Sequence, residues 1–289
     1  MTRPGWVPDE LYPFESHFAE IGGARVHYVD EGSGPPLLLL HGNPTWSFLY
    51  RDIIKGLRDR CRCIAPDYPG FGLSAAPAGY GFTPVEHSRI VEELVKELDL
   101  TGITMMVQDW GGPIGFGVAT RHPDRFAAFV IGNTWAWPKS DRGTQVFSRF
   151  MGGRVGGYLI VHRNVFVERI IPGGVKRKKL PQEVMNAYRG PFAAMQSRTP
   201  VHIFPREILA SRPFLAEVER GLPALGDRPA LIVWGDKDVA FREPEMHHWE
   251  RVFPDHQTVR LEGAAHYIQE EAADEIADAI RAWDRVAAA

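Results

Sequence analysis

Leu37 to Leu40 are four leucines in succession, set between Pro35-Pro36 and His41-Gly42. A strand with one face in water alternates apolar and polar residues, so a short unbroken run reads as a strand covered on both faces. Apolar-rich segments of similar length return at 24–32, 60–67, 102–109, 126–133, 229–236 and 257–264, with helical patterns between them. Alternation of this kind specifies an α/β fold: a mostly parallel sheet with helices on both faces. One helix is marked in detail. Thr83-Pro84-Val85-Glu86 supplies an N-cap hydroxyl, a proline for the first turn and a glutamate for a capping box. Behind it Ile90, Val91, Leu94, Val95 and Leu98 form one apolar stripe that packs on the sheet.

From Thr134 to Pro213 no strand pattern appears, aromatics are frequent, and glycine pairs stand at Gly152-Gly153, Gly156-Gly157 and Gly173-Gly174. This stretch reads as a helical cap, 134–213, inserted into a core domain made of 1–133 and 214–289. It would lie over the strand ends where open α/β sheets build their sites. The formal net charge of -3 provides no basic surface for a phosphate backbone, which excludes nucleic acid as a partner. Cys61 and Cys63 stand one residue apart, a spacing for two buried thiols on one face of a strand and not for a redox pair. The N-terminal stretch MTRPGWVPDELYPFE mixes acids and prolines and lacks an apolar segment, so neither a signal peptide nor a membrane span is expected there. A soluble, cytoplasmic protein without a membrane partner follows. The run Lys176-Arg177-Lys178-Lys179 reads as a solvated loop.

The segment Val107-Gln108-Asp109-Trp110-Gly111-Gly112 follows an apolar run and precedes a helical stretch. A sharp strand-to-helix turn exposes its tip residue and crowds its neighbours, and Gly111 and Gly112 supply the room. Val107 stands where a smaller residue is commoner. The helix beginning near Pro113 would aim its N–H groups and positive dipole end at the tip. The tip is Asp109, not serine. A carboxylate is ionised at neutral pH and attacks an sp3 carbon directly, forming an alkyl ester that water must then cleave. That second step needs a base and an acid to orient it. His266, just after the last strand, fits the base. For the acid, the strand at 126–133 ends in Asn133 with no carboxylate, whereas Gly235-Asp236-Lys237-Asp238 offers two, and Asp238 is the better placed. Asp236 is the rival and suits turn hydrogen bonds instead. The order nucleophile, acid, histidine is that of an α/β-hydrolase fold.

The segments HGNPTWSFLYRDII (41–54), DYPGFGLSAAP (67–77), VQDWGGPIGF (107–116), GNTWAWP (132–138), WGDKDVAF (234–241) and AAHYIQEE (264–271) together resemble the haloalkane dehalogenases. The likeness runs from Leu11 to Trp283. The asparagine in His41-Gly42-Asn43-Pro44, with an aspartate as the acid, is most similar to the third subfamily; other members carry a glutamate where Asn133 stands. The resemblance implies hydrolysis of a small apolar haloalkane by water to alcohol, halide and a proton, through a covalent ester on Asp109. It implies His266 and Asp238 as base and orienting acid. The indole of Trp110 and the carboxamide of Asn43 would bind the departing halide, and the backbone N–H groups of Asn43 and Trp110 would form the oxyanion hole. No cofactor or metal is implied. Such members assemble with copies of themselves, though no motif in this sequence specifies it.

The nearest rival is an epoxide hydrolase built on the same nucleophile and histidine. It would need proton donors for the opened ring, and the inserted segment offers Tyr158 and Tyr188. Asn43 tips the balance, since epoxide hydrolases usually place an apolar residue there. A binding protein without turnover would usually have lost part of the Asp109, Asp238, His266 set. Trp135, Trp137, Phe147, Phe150, Phe166, Phe204 and Phe214 either line a dry pocket or fill the cap.

Overall fold

In a computed structural model the described residues are 4–7, 9–283 and 285. The extreme ends of the expected core domain, 1–3 and 286–289, and residues 8 and 284 lie outside that range. Eight strands form one sheet in the order β1-β2-β4-β3-β5-β6-β7-β8. They are β1 (His17–Ile21), β2 (Ala24–Glu31), β3 (Pro36–Leu40), β4 (Arg62–Pro66), β5 (Ile103–Asp109), β6 (Phe126–Thr134), β7 (Ala230–Gly235) and β8 (His256–Leu261). From β4 through β8 neighbouring strands run parallel, while β1 and β2 run antiparallel to their neighbours. This is the expected α/β-hydrolase architecture. The strand β1 is an addition to the sequence reading. Its half-exposed residues carry no apolar run, and Gly22-Gly23, both at positive φ, turn it into β2.

The helices are α1 (Arg51–Leu57), α2 (Pro84–Glu97), α3 (Gly111–Arg121), α4 (Arg142–Met151), α5 (Arg154–Arg163), α6 (Ile171–Gly173), α7 (Gln182–Arg189), α8 (Thr199–Ala210), α9 (Arg212–Gly221), α10 (Glu243–Val252), α11 (Ile268–Glu271) and α12 (Ala273–Ala282). The capping box at Thr83 and Glu86 is present, and α2 begins at Pro84 as its sequence specifies. Every residue of β5 is buried, because the sheet is covered twice. A Cβ on Gly115 of α3 would meet Met105 of β5 and Leu40 of β3 at 2.7 and 2.8 Å. A Cβ on Gly132 of β6 would meet Ile268 of α11 at 2.5 Å. Val107 pairs with Leu40 and with Ile131, so Gly132 points the opposite way and α3 and α11 lie on opposite faces. Cys61 and Cys63 are free and buried.

Between β6 and α9 the described residues form helices α4 to α8 and no strand, and residue 213, where the cap is expected to end, is the second residue of α9. Trp46 Nε1 donates to Ala187 O at 3.1 Å, and Tyr188 OH donates to Glu270 Oε1 at 2.5 Å. Glu270 also takes a bidentate pair from Arg51 at 2.5 and 2.7 Å, so the two buried charges satisfy one another. The basic run is not wholly solvated. Lys176, Lys178 and Lys179 are exposed, but Arg177 pairs with Glu275 and donates to Glu262 O, fastening the segment to the core.

Candidate active site

Asp109 ends β5 at φ 49, a left-handed conformation that only crowding and hydrogen bonds can hold in a non-glycine residue. Its carbonyl accepts from Thr134 Oγ1 at 2.5 Å, beside a register shift between Gln108 and Asp109. A Cβ on Gly111 would lie 2.1 Å from Leu40 O, and one on Gly112 would lie 2.0 Å from Thr134 Oγ1, so this turn tolerates only glycine at both. The helix α3 starts at Gly111, two residues before the position expected from Pro113.

The loop after β3 comes up to this tip. Gly42 O accepts from Thr45 N at 3.1 Å, Thr45 Oγ1 at 3.0 Å and His41 Nδ1 at 2.9 Å, while His41 Nε2 accepts from Tyr68 N at 3.3 Å. His41 is therefore structural. Burial lowers its pKa to about 4 and keeps it neutral. The stiffened loop presents Asn43 N to Asp109 Oδ2 at 2.8 Å. Burial raises the Asp109 pKa, against the opposing influence of His266 and of the backbone N–H groups of Asn43 and Trp110.

His266 and Asp238 meet from the loops after β8 and β7. His266 Nδ1 lies 2.9 Å from Asp238 Oδ2, and its Nε2 lies 3.9 Å from Asp109 Oδ1, an ion-pair distance too long for a hydrogen bond. Burial disfavours the imidazolium, but the carboxylates of Asp238 and Asp109 outweigh it and raise the His266 pKa to about 9. Asp236 is elsewhere: it accepts from Gly263 N at 2.6 Å and Lys237 Nζ at 3.0 Å. The carboxamide of Asn43 donates to Val201 O of α8 at 3.3 Å, which engages one of its two N–H groups. Trp110 is 3% exposed, and among the described residues no acceptor engages its indole N–H. Among the same residues no cluster of three or more His, Cys, Asp or Glu is arranged to hold a metal ion.

Residues 35–273 match the family described as alpha/beta hydrolase fold. Haloalkane dehalogenase 2 of Mycobacterium tuberculosis is 50% identical over 278 residues, 95% of this chain and 97% of the relative. The chain belongs to the haloalkane dehalogenase family. A cis-3-alkyl-4-alkyloxetan-2-one decarboxylase from Shewanella oneidensis is 34% identical over 93% of this chain and 87% of the relative. The crystal structure of a haloalkane dehalogenase from Bradyrhizobium elkani superposes with TM-score 0.85 at 27% identity, covering 93% of this chain and 97% of that one.

For a haloalkane dehalogenase the remaining aromatics divide cleanly. Trp135 and Phe204 pack on Trp110, with ring centres 4.7 and 5.0 Å away. Trp137 instead stacks on His248, Phe214 lies against Gly117 of α3, Phe166 is buried, and Phe147 and Phe150 are exposed. Tyr158 is exposed and stacks on His162, and Tyr188 is committed to Glu270.

Three residues that the sequence reading passed over bear on the site. Asn133, noted there only for lacking a carboxylate, donates to Asp238 Oδ2 at 3.0 Å and to Gly235 O at 3.1 Å, and accepts from Gly235 N at 2.8 Å. Gln108 places its amide nitrogen 3.2 Å from His266 Nε2 and 3.0 Å from His266 O. An amide donor there favours the unprotonated ring nitrogen, against the pull of the two carboxylates. Gly174 O, from the end of the inserted segment's α6, accepts from His266 N at 3.0 Å and Tyr267 N at 3.2 Å. The Gly173-Gly174 pair was the one visible signal for that contact.

Proposed function

We propose that Asp109 of this chain is the nucleophile of a haloalkane dehalogenase, and the observation that carries the reading is the division of labour between its two oxygens. Oδ2 is fixed by Asn43 N at 2.8 Å, which leaves Oδ1, on the His266 side, to attack the carbon bearing the halogen. The carbon–halogen bond breaks as the ester bond forms. The indole N–H of Trp110 and the second carboxamide N–H of Asn43 receive the halide, neutral donors that do not compete with the substrate for the carboxylate.

Ester formation removes the negative charge of Asp109, one of the influences that raise the His266 pKa. The ring then favours its neutral form, to which Gln108 donates, and takes a proton from water attacking Cγ of Asp109. Charge gathers on Oδ2, where the N–H groups of Asn43 and Trp110 act as the oxyanion hole. Asp238, itself steadied by Asn133, holds the ring in the tautomer with Nδ1–H. Collapse expels the alkoxide, which takes the proton from His266 and leaves as the alcohol, and the remaining carboxyl proton passes to solvent and regenerates the Asp109 carboxylate, with no cofactor or metal in any step. The segment 134–213 acts as the cap. The protein works in the cytoplasm on a small apolar halogenated substrate and assembles with copies of itself.

Opening an epoxide requires a proton donor for the alkoxide, and exposure of Tyr158 and the commitment of Tyr188 to Glu270 argue against that rival. A parallel assay separates the alternatives: bromide release from 1-bromobutane, diol from styrene oxide, and carbon dioxide from a cis-3,4-dialkyloxetan-2-one. Bromide release without the other two products is the expected result. Product from the epoxide or the lactone with no bromide would overturn the reading.

A further inference from the structure

The helix α4 is turned inside out, and α5 adds two exposed apolar residues beside it. On α4 the buried residues are Ser148, whose hydroxyl donates to Pro205 O of α8 at 2.7 Å, and Met151. Its apolar residues Val146, Phe147 and Phe150 face solvent, as do Val155 and Tyr158 on α5, and these five are between 41 and 60% exposed. Both helices lean on α8 with their inner sides. A Cβ on Gly152, at the end of α4, would meet Arg206, and one on Gly157 of α5 would meet His202 at 2.9 Å. Their outer sides therefore point the same way, away from α8. An amphipathic helix ordinarily buries its apolar stripe, so α4, which exposes it, is unpartnered on that face, and Val155 and Tyr158 extend the exposed patch.

The same surface is cationic. Residues 142–163 contain four arginines and no acid, in a chain whose acids outnumber its bases 36 to 33. Arg142, Arg149, Arg154 and Arg163 are exposed on α4 and α5, and among the described residues none has a carboxylate within ion-pair distance. Asp141, just before them, is the N-cap of α4 and accepts from Thr144 N at 2.8 Å. Elsewhere exposed arginines such as Arg58 and Arg260 do hold carboxylates.

We propose that the outer face of α4 and α5 docks on an anionic lipid bilayer, its apolar side chains entering the headgroup boundary and its arginines meeting lipid phosphates. Short helices with apolar residues flanked by cations bind membranes in this way without spanning them. No helix among the described residues is long and apolar enough to cross a bilayer, and surface docking requires none. A second copy of the chain fits less well. A two-fold contact through this face would set the arginines of one protomer against those of the other.

Vesicle co-sedimentation of the full chain tests this. The chain sediments with phosphatidylcholine vesicles that contain phosphatidylglycerol and not with phosphatidylcholine alone, and added salt weakens the association. Two surface variants, Val146→Asp with Val155→Asp and Arg149→Glu with Arg154→Glu, each reduce it about tenfold while bromide release in solution stays at the wild-type rate. The proposal is overturned by equal sedimentation with both vesicle types, by no sedimentation with either, or by variants that sediment like wild type. It is equally overturned if light scattering finds the wild type self-associated through this face, the Asp variant dispersed, and no vesicle binding in either.

Discussion

In the proposed reaction Asp109 asks its surroundings for two different things, a donor set that holds one oxygen and a second set that would take the departing ion. The first set is backbone, so only the second is open to substitution. Asn43→Ala and Trp110→Leu should each slow halide departure by about 2 to 4 kcal/mol, the scale for removing a preorganised donor. Single-turnover bromide release is the check, and a wild-type rate in Asn43→Ala would remove that residue from the mechanism. His266 makes a prediction of a different kind. Its pKa in the folded chain, about 9, lies above its ordinary 6.5. A proton held more tightly in the fold stabilises it below the ordinary value, and that contribution is lost as pH rises through the folded value. Unfolding free energy should therefore fall between pH 6.5 and 9, by up to about 3 kcal/mol more in wild type than in His266→Gln. Urea titrations across this range that give parallel lines for the two proteins would contradict it. At this scale the sequence picked out side chains that the fold does bring together, Asp109 at its turn with His266 and Asp238, while Asp236 lies elsewhere; their roles belong to the proposal. Asn133 and Gln108 were not legible, because an amide acquires its role only from what the fold sets opposite it.

Among the elements, those set by short-range pattern were readable in advance: seven strands, and α2 with its capping box. The strand β1 was missed because an edge strand with one half-wet face has no apolar run, although Gly22-Gly23 between two β-prone segments marked the hairpin. The glycine pairs in the inserted segment were visible, but their reasons are tertiary. A Cβ on Gly156 would lie 2.4 Å from Met151 Cα, so that glycine sets how closely α4 and α5 pack. Gly174 approaches the core in the same manner, since a Cβ there would lie 2.8 Å from the Tyr267 ring while its carbonyl holds His266 N at 3.0 Å. Gly174→Val should therefore push on the histidine loop and slow ester hydrolysis by about 10 to 100-fold, the range for a misplaced catalytic group. Alkylation of Asp109 should be affected less. Rapid-quench kinetics separate the two steps, and equal losses in both would show that the contact does not act through His266.

Over the whole molecule the chain divides its labour by charge and by rigidity. The doubly covered sheet fixes Asp109, Asn133 and the loop ends, while the inserted helices reach the site at Val201 O and Gly174 O and carry the excess of positive charge on their outer face. Fold class followed from the alternation of apolar runs and helical patterns, a property of the whole chain. The assignment of aromatics to pocket or packing did not, because Trp135 beside Trp110 and Trp137 on His248 are alike in sequence and differ in what the fold sets against them. All of the proposed chemistry rests on a bond between Asp109 and the substrate carbon. His266→Phe removes the proposed base and leaves the proposed nucleophile, so the decisive experiment is incubation with 1-bromobutane followed by peptide mass spectrometry. The account predicts that the peptide containing Asp109 gains one butyl group and that bromide appears in equal amount; an unmodified peptide from a folded variant, or a butyl group on any other residue, would contradict it.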